Sequence, residues 1–282
     1  MIILKKVADI RSFLTKKRET ETVLGFVPTM GALHNGHISL INISKRNNNL
    51  VVCSIFVNPV QFNDTKDFEK YPATIEADIN LVEKAGCDVL FLPSVAEMYP
   101  EGLSKQKKYN LGYLETILEG KFRGGHFQGV CRAVERLLDI VQPHYLYLGQ
   151  KDYQQCMVIK KLVDLINSKA NVIICPTVRE NDGLAMSSRN TRLNKKERIE
   201  AVKIAETLFF IKKEIKTGYL QDLKERCFQY LTAEGFKVDY VEIATASTLE
   251  LLENWDGQTQ IVALIAAFIN EVRLIDNMLL TH

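Results

Sequence analysis

Five short apolar runs, at 23–27, 50–57, 88–92, 144–148 and 171–175, recur between stretches of helical periodicity near 37–47, 73–85, 126–141 and 153–167. This alternation constrains the fold more than any other feature. Runs apolar on both faces belong to strands covered on both sides, and parallel neighbours need a helix to carry the chain back. The expected architecture is α/β, with a doubly wound and mostly parallel sheet. A basic helical stretch at 5–18 precedes it. Pro176 ends the last run, and the pattern then changes. Helical segments at about 194–216 and 219–234 lead into strand-like runs near 237–243, 260–269 and 272–275. This second part reads as a smaller α+β domain, so residues 1–177 and 178–282 are expected to form separate domains.

Composition narrows the class. The 282 residues are 46% hydrophobic and 25% charged, with a net charge of +2. These values are ordinary for a soluble globular enzyme, and nothing suggests a broad nucleic-acid footprint. No apolar run is long enough to span a membrane. Met1-Ile2-Ile3-Leu4-Lys5-Lys6 shows no signal-peptide pattern, and a cytoplasmic location is expected. The six cysteines form no Cys-x-x-Cys motif, and several lie inside apolar runs. They read as buried reduced thiols.

Residues 28–37 are Pro-Thr-Met-Gly-Ala-Leu-His-Asn-Gly-His, a turn between the first apolar run and a helical pattern. Free N–H groups and the dipole at a helix start favour an anion. Met30, Gly31, Ala32, Leu33, His34, Asn35, Gly36 and His37 are therefore expected to bind a nucleoside triphosphate. Gly31 and Gly36 have the spacing of P-loop glycines, but His37 stands in place of Lys and Ile38 in place of Ser or Thr. The site is thus based on histidine. His34 and His37 can face one ligand, donate ring N–H groups to phosphate, and add charge when protonated. Two alternatives are a glycine-rich turn with incidental histidines and a zinc site, for which the neighbourhood offers no third ligand.

Four further segments carry groups that could meet a ligand. Gly149-Gln150-Lys151-Asp152-Tyr153-Gln154-Gln155 follows the run at 144–148, at the strand end where α/β proteins bind ligands. Lys151 supplies a point charge and Asp152 can cap the next helix. In the segment 178–190, Ser187, Ser188 and Arg189 offer several donors to a triphosphate. Asn181-Asp182-Gly183 reads as a tight turn, and a junction loop there could close over a nucleotide. Asn58 and Gln61 are amides among apolar groups and suit a small substrate with hydroxyl and carboxylate groups. Gly124-Gly125-His126-Phe127-Gln128-Gly129 opens the helix at 126–141, but His126 breaks the dinucleotide fingerprint. Its glycines permit close packing or backbone approach to a ligand. His126 reads either as a ligand contact or as a polar surface group, and His144 and His282 as structural or solvated.

Together these residues resemble the pantothenate synthetase (pantoate–β-alanine ligase) family along nearly the whole chain. The blocks are Pro-Thr-Met-Gly-Ala-Leu-His-x-Gly-His at 28–37, Phe-Val-Asn-Pro-x-Gln-Phe at 56–62, Glu-Ala-Asp at 76–78 and Pro-Ser-Val-x-Glu-Met-Tyr-Pro at 93–100. Gly-His-Phe-x-Gly-Val at 125–130, Lys-Asp-Tyr-Gln-Gln at 151–155, Gly-Leu-Ala-Met-Ser-Ser-Arg-Asn at 183–190 and Arg273-Leu274-Ile275-Asp276-Asn277 complete the set. The resemblance implies a Rossmann-like domain of the nucleotidyltransferase superfamily, with His34-x-x-His37 as its His-Ile-Gly-His-type signature. Met186-Ser187-Ser188-Arg189 would be the counterpart of the Lys-Met-Ser-Lys-Ser loop, and the smaller domain a lid. A homodimer is implied.

The resemblance also implies a reaction. ATP, a co-substrate accompanied by Mg²⁺, would activate pantoate as pantoyl adenylate. β-Alanine would then displace AMP to give pantothenate. His34, His37, Lys151 and Arg189 would be catalytic. Gly149, Gln150, Lys151, Asp152 and Val178 would fix the adenosine, and Met186, Ser187, Ser188 and Arg189 would complete the ATP contacts. Gln61 and Gln155 would hold pantoate, with Asn58 alongside and Gln61 also placing β-alanine. No protein ligand for Mg²⁺ is assigned, and Asp78 reads as a surface residue of the acidic helix. Another small-molecule nucleotidyltransferase of the same superfamily is the alternative. Departures from the family pattern are Val60, Ala73, Gly124, Arg132, Ala133, Arg136 and Gln150.

Overall fold

The computed structural model describes residues 1–62, 68–72, 74–103 and 107–280. Ala73 and His282 lie outside the described residues. Two compact units form, one from Met1–Gly149 with Val158–Pro176, the other from Gln150–Met157 with Thr177–His282.

The first unit is built on a six-stranded sheet of β1 (Ile2–Leu4), β2 (Leu24–Thr29), β3 (Leu50–Ile55), β4 (Val89–Phe91), β5 (Tyr145–Gly149) and β6 (Asn171–Cys175). Its order is β1-β4-β3-β2-β5-β6, and every pairing is parallel. The doubly wound expectation therefore holds. β3 is buried at all six positions, as its uninterrupted apolar run requires. The chain winds outward from β2 through β3 to β4, then crosses back to β5 and β6. The order thus reverses between β2 and β5, where such sheets open a crevice at their carboxyl ends.

The two strands part early at that point. β2 pairs with β3 through Thr29 but with β5 only at Gly25 and Phe26. Pro28, lacking an N–H, lies beyond the last β5 pair, where no ladder bond is required of it. The helix Asn35–Asn47 lies close against β2 because residue 25 is glycine. A Cβ there would stand 2.2 Å from the Ser44 hydroxyl. All six cysteines are buried and free.

β1 escapes a reading by pattern. It is three residues long, with Ile2 and Ile3 exposed at the sheet edge, so no periodicity announces it.

The second unit contains the antiparallel sheet β11-β10-β8, formed by β8 (Lys237–Thr245), β10 (Ile261–Ile269) and β11 (Val272–Leu279). A short pair, β7 (Gly218–Tyr219) with β9 (Asn254–Trp255), stands beside it in the chain. Ile204, Leu208 and Ile211 of the helix Val202–Glu214 join Leu223, Cys227 and Leu231 of Gln221–Ala233 in one core with β10. The helical run at 194–216 is two helices, Lys195–Glu200 and Val202–Glu214, meeting at Ala201. Asn194 starts the first with a reciprocal cap, its side chain accepting from Glu197 N at 3.0 Å.

Candidate active site

The 28–37 turn begins at the carboxyl end of β2. Gly31 and Ala32 both adopt left-handed backbone, with φ of 84° and 48°. Two successive residues of this hand turn adjacent N–H groups toward one point. Asp78 fills that point. Its carboxylate accepts from Ala32 N at 2.9 Å and Leu33 N at 2.8 Å, and from the Thr74 hydroxyl at 3.1 Å. Asp78 is 1% exposed. The surface assignment is thus overturned: Asp78 is the internal anchor of the turn.

The two imidazoles cap the helix that follows. His34 Nδ1 accepts from Gly36 N at 3.1 Å, and His37 Nδ1 accepts from His34 N at 3.3 Å. A backbone N–H can only donate, so each Nδ1 is unprotonated and each ring carries its proton on Nε2. The rings lie 4.1 Å apart, tilted by 38°. Protonating either Nδ1 would set two donors against each other, so this cap requires both rings neutral.

The expectation of free turn amides is corrected too. Gly31 N donates to the Thr29 hydroxyl and His37 N to His34 O. With the bonds above, the turn satisfies most of its own amides. Each imidazole thus carries its N–H on Nε2, the nitrogen that the cap does not use. Asn35 is exposed, Met30 half-buried and Leu33 buried.

Gln61 joins this turn, its amide nitrogen meeting the Met30 sulfur. It sits in a single helical turn, Pro59–Gln61, capped by Asn58. Asn58 is 1% exposed and its amide has four partners. Nδ2 donates to Gly129 O at 3.0 Å and to Gln61 Oε1 at 3.2 Å; Oδ1 accepts from Val60 N at 3.3 Å and the Tyr99 hydroxyl at 2.9 Å. The helix His126–Val141 reaches this turn because residue 129 is glycine. A Cβ there would lie 2.5 Å from Val60 O. His126 is 5% exposed. Its Nδ1 lies 2.7 Å from Gln61 O and donates to it, so the surface reading of His126 is excluded.

In the second unit, Lys151 is held through its backbone. Asn277 Nδ2 donates to Gln150 O at 2.9 Å and Lys151 O at 2.8 Å, and Gln150 Nε2 donates to Asn277 Oδ1 at 3.2 Å. Arg179 braces the same stretch of β11, its guanidinium donating to Asp276 at 2.6 and 3.1 Å. Burial pushes the Asp276 carboxyl up, against the pull of Arg179.

Residues 178–186 form a small hairpin: Met186 N donates to Val178 O at 3.0 Å, and Arg179 bridges Ala185. Its tip is the expected turn, with Gly183 at φ 93°. Ser187 then caps the short helix Ser188–Arg192, accepting from Arg189 N at 3.3 Å. Ser188 is buried and Arg189 half-buried. Gly149 ends β5, Asp152 is exposed and Gln155 half-buried. Among the described residues, no cluster of three or more His, Cys, Asp or Glu is placed to hold a metal, and no helix is long and apolar enough to cross a membrane.

The family model for pantoate–β-alanine ligase matches residues 2–279. The chain belongs to this family. It is 44% identical to the pantothenate synthetase of Cytophaga hutchinsonii over 283 residues, 99% of each chain. It is 44% identical to that of Acetivibrio thermocellus over the same share. The pantothenate synthetase structure from Thermus thermophilus superposes with a TM-score of 0.91 at 38% identity, covering 100% of both chains. A Francisella tularensis pantoate–β-alanine ligase, complexed with βγ-ATP and β-alanine, superposes with a TM-score of 0.81 at 39% identity over 99% of this chain and 98% of that one.

Four of the positions that the resemblance set apart within this family of ligases, Arg132, Arg136, Gln150 and Gly124, have these surroundings. Arg132 stacks on the Tyr99 ring at 4.6 Å and donates to Leu103 O and Gly102 O at 2.8 and 3.0 Å. Arg136 pairs with Asp139 at 3.0 Å. Gln150 donates to Asn277. Gly124 is exposed, with open space where a side chain would stand.

Proposed function

We propose that this ligase makes pantothenate in two steps through a pantoyl-adenylate intermediate. A carboxylate is a poor electrophile toward an amine. In the first step a pantoate oxygen attacks the α-phosphorus of ATP, and pyrophosphate leaves. In the second, the neutral amine of β-alanine attacks the mixed anhydride and AMP leaves. Neither step requires a protein nucleophile, so the residues position groups and stabilise charge.

The observation that carries this reading is the tautomer of His34 and His37. Both Nδ1 atoms are engaged by backbone, so both Nε2–H groups are donors of fixed direction at a helix start. Preorganised donors of this kind stabilise the charge that builds on a leaving pyrophosphate. On this reading Lys151, Ser187, Ser188 and Arg189 also bind ATP phosphates, and Gly149, Gln150, Asp152 and Val178 the adenosine. Met30, Gly31, Ala32, Leu33, Asn35, Gly36 and Met186 line the nucleotide. Gln61 and Gln155 bind pantoate. Asn58, whose amide is fully engaged, serves the substrate by holding Gln61.

Mg²⁺ enters as part of the MgATP substrate. Both oxygens of Asp78 are engaged by the turn, which leaves that carboxylate to the fold. Residues 178–282 act as a lid, and the enzyme works as a cytoplasmic homodimer, as its family membership suggests.

The test follows pyrophosphate, AMP and pantothenate with ATP and pantoate, with and without β-alanine. Pyrophosphate release should depend on pantoate, and AMP release on β-alanine. His37→Ala should fold normally and lose about 10²–10³ in the rate of pyrophosphate release. Wild-type adenylation by that variant would overturn the role of the histidine pair.

A further inference from the structure

Gln61 has two faces to its amide, and only one can meet the substrate. Backbone groups decide which. Gly129 O can only accept, so the Asn58 atom beside it is Nδ2. Val60 N can only donate, so the atom beside it is Oδ1. The remaining Nδ2 proton points at Gln61, 3.2 Å away. An amide nitrogen of Gln61 there would set donor against donor. Gln61 therefore turns Oε1 inward and Nε2 outward. One Nε2 proton meets the Met30 sulfur; the second is the donor left for a ligand, matched to a carboxylate or hydroxyl oxygen.

Tyr99 closes this arrangement. Its hydroxyl donates to Asn58 Oδ1 at 2.9 Å. Tyr99 itself is buried, packed edge-on to Phe56 at 6.0 Å and covered by the Arg132 guanidinium at 4.6 Å. Burial pushes its hydroxyl up to about 12, with Arg132 opposing. It thus keeps its proton, and its donor role, through the range in which an enzyme works. Arg132 in turn ties the ring to Gly102 O and Leu103 O.

We propose that Tyr99 is a positioning residue for substrate binding, whose hydroxyl acts through Asn58 to fix Gln61 with its N–H donor toward pantoate. This rests on the reading that Gln61 binds pantoate. Tyr99→Phe keeps the ring and its packing while removing the donor. Asn58 Oδ1 would then keep only the 3.3 Å bond from Val60 N, and both amides would gain freedom to rotate.

The experiment measures pyrophosphate release against pantoate and against ATP for the wild type, Tyr99→Phe, Gln61→Ala and the double variant. Thermal melting reports the fold. One hydrogen bond of this kind corresponds to about a two- to tenfold change. The KM for pantoate should rise by that factor in Tyr99→Phe, with the KM for ATP unchanged. In the Gln61→Ala background, Tyr99→Phe should add less than about twofold, because no amide is left to orient. A loss of packing alone would instead lower the melting temperature, move both KM values and add fully to Gln61→Ala. If Gln61→Ala raises the pantoate KM but Tyr99→Phe does not, or the effects add, the positioning role of Tyr99 is overturned and Gln61 keeps its place. If Gln61→Ala leaves the pantoate KM unchanged, both readings fall.

Discussion

Asp78 shows how a single side chain can set the shape of a site from a distance. It lies 46 residues from Ala32 and 45 from Leu33, yet it binds both their N–H groups. Without it, two left-handed residues would present unpaired amides in a largely buried turn. Hydrogen bonds to a charged group contribute about 1.5–3 kcal/mol each, and orphaned buried donors add to the loss. We expect Asp78→Ala to be destabilised by about 3 kcal/mol in urea unfolding, within that same range of values. Pyrophosphate release should fall as well, because the histidine cap hangs from this turn. A stable variant with wild-type turnover would show that the turn holds its shape without the carboxylate. Lys151 depends on a comparable brace, the Asn277 side chain 126 residues further along the chain.

At the scale of elements, close approach decides what can be built. The helix His126–Val141 meets the turn Pro59–Gln61 through Gly129, and through His126 at its first position. Both contacts hold the backbone of Gln61. Gly129→Ala would place a methyl group 2.5 Å from Val60 O and 2.7 Å from Gln61 Cα. Forcing such a group into packed backbone costs about 1–3 kcal/mol. The expected outcome is a lower melting temperature and a raised KM for pantoate with the KM for ATP retained. Unchanged pantoate kinetics would mean that the helix can retreat without moving Gln61. Gly25 does the same service for β2 and the helix Asn35–Asn47, where the added Cβ would meet Ser44 and Asn48.

Across the whole molecule, burial governs the reactivity of the thiols. It pushes Cys87, Cys175 and Cys227 to about 11 and Cys131 to about 12, and Cys53 well above its usual value. A raised thiol pKa means less thiolate, the form that reacts. At pH 8 the native protein should label with a thiol reagent at only a few per cent of the unfolded rate, on the order expected for buried thiols. In guanidinium all six should react. Fast labelling of the native chain would show local opening of these cores. The doubly wound sheet was legible without coordinates because runs such as 50–57 are apolar at adjacent positions, which only a doubly covered strand tolerates. The histidine turn was legible for the same kind of reason: glycines, imidazoles and a strand-to-helix change are local signals. How those groups are used was not legible in this way. Asp78, Tyr99, Asn277 and Asn58 stand in local blocks of the family pattern, but nothing beside them in the chain says what each one binds. Their roles arise from partners tens of residues away, and a hydrogen bond is directional, so its partner is set by the fold and not by spacing along the chain. Local order among the residues was enough to determine the parallel sheet of the first unit and to single out the polar groups at its strand ends. Which ring nitrogen, which amide face and which carboxylate became engaged was settled only when distant segments met.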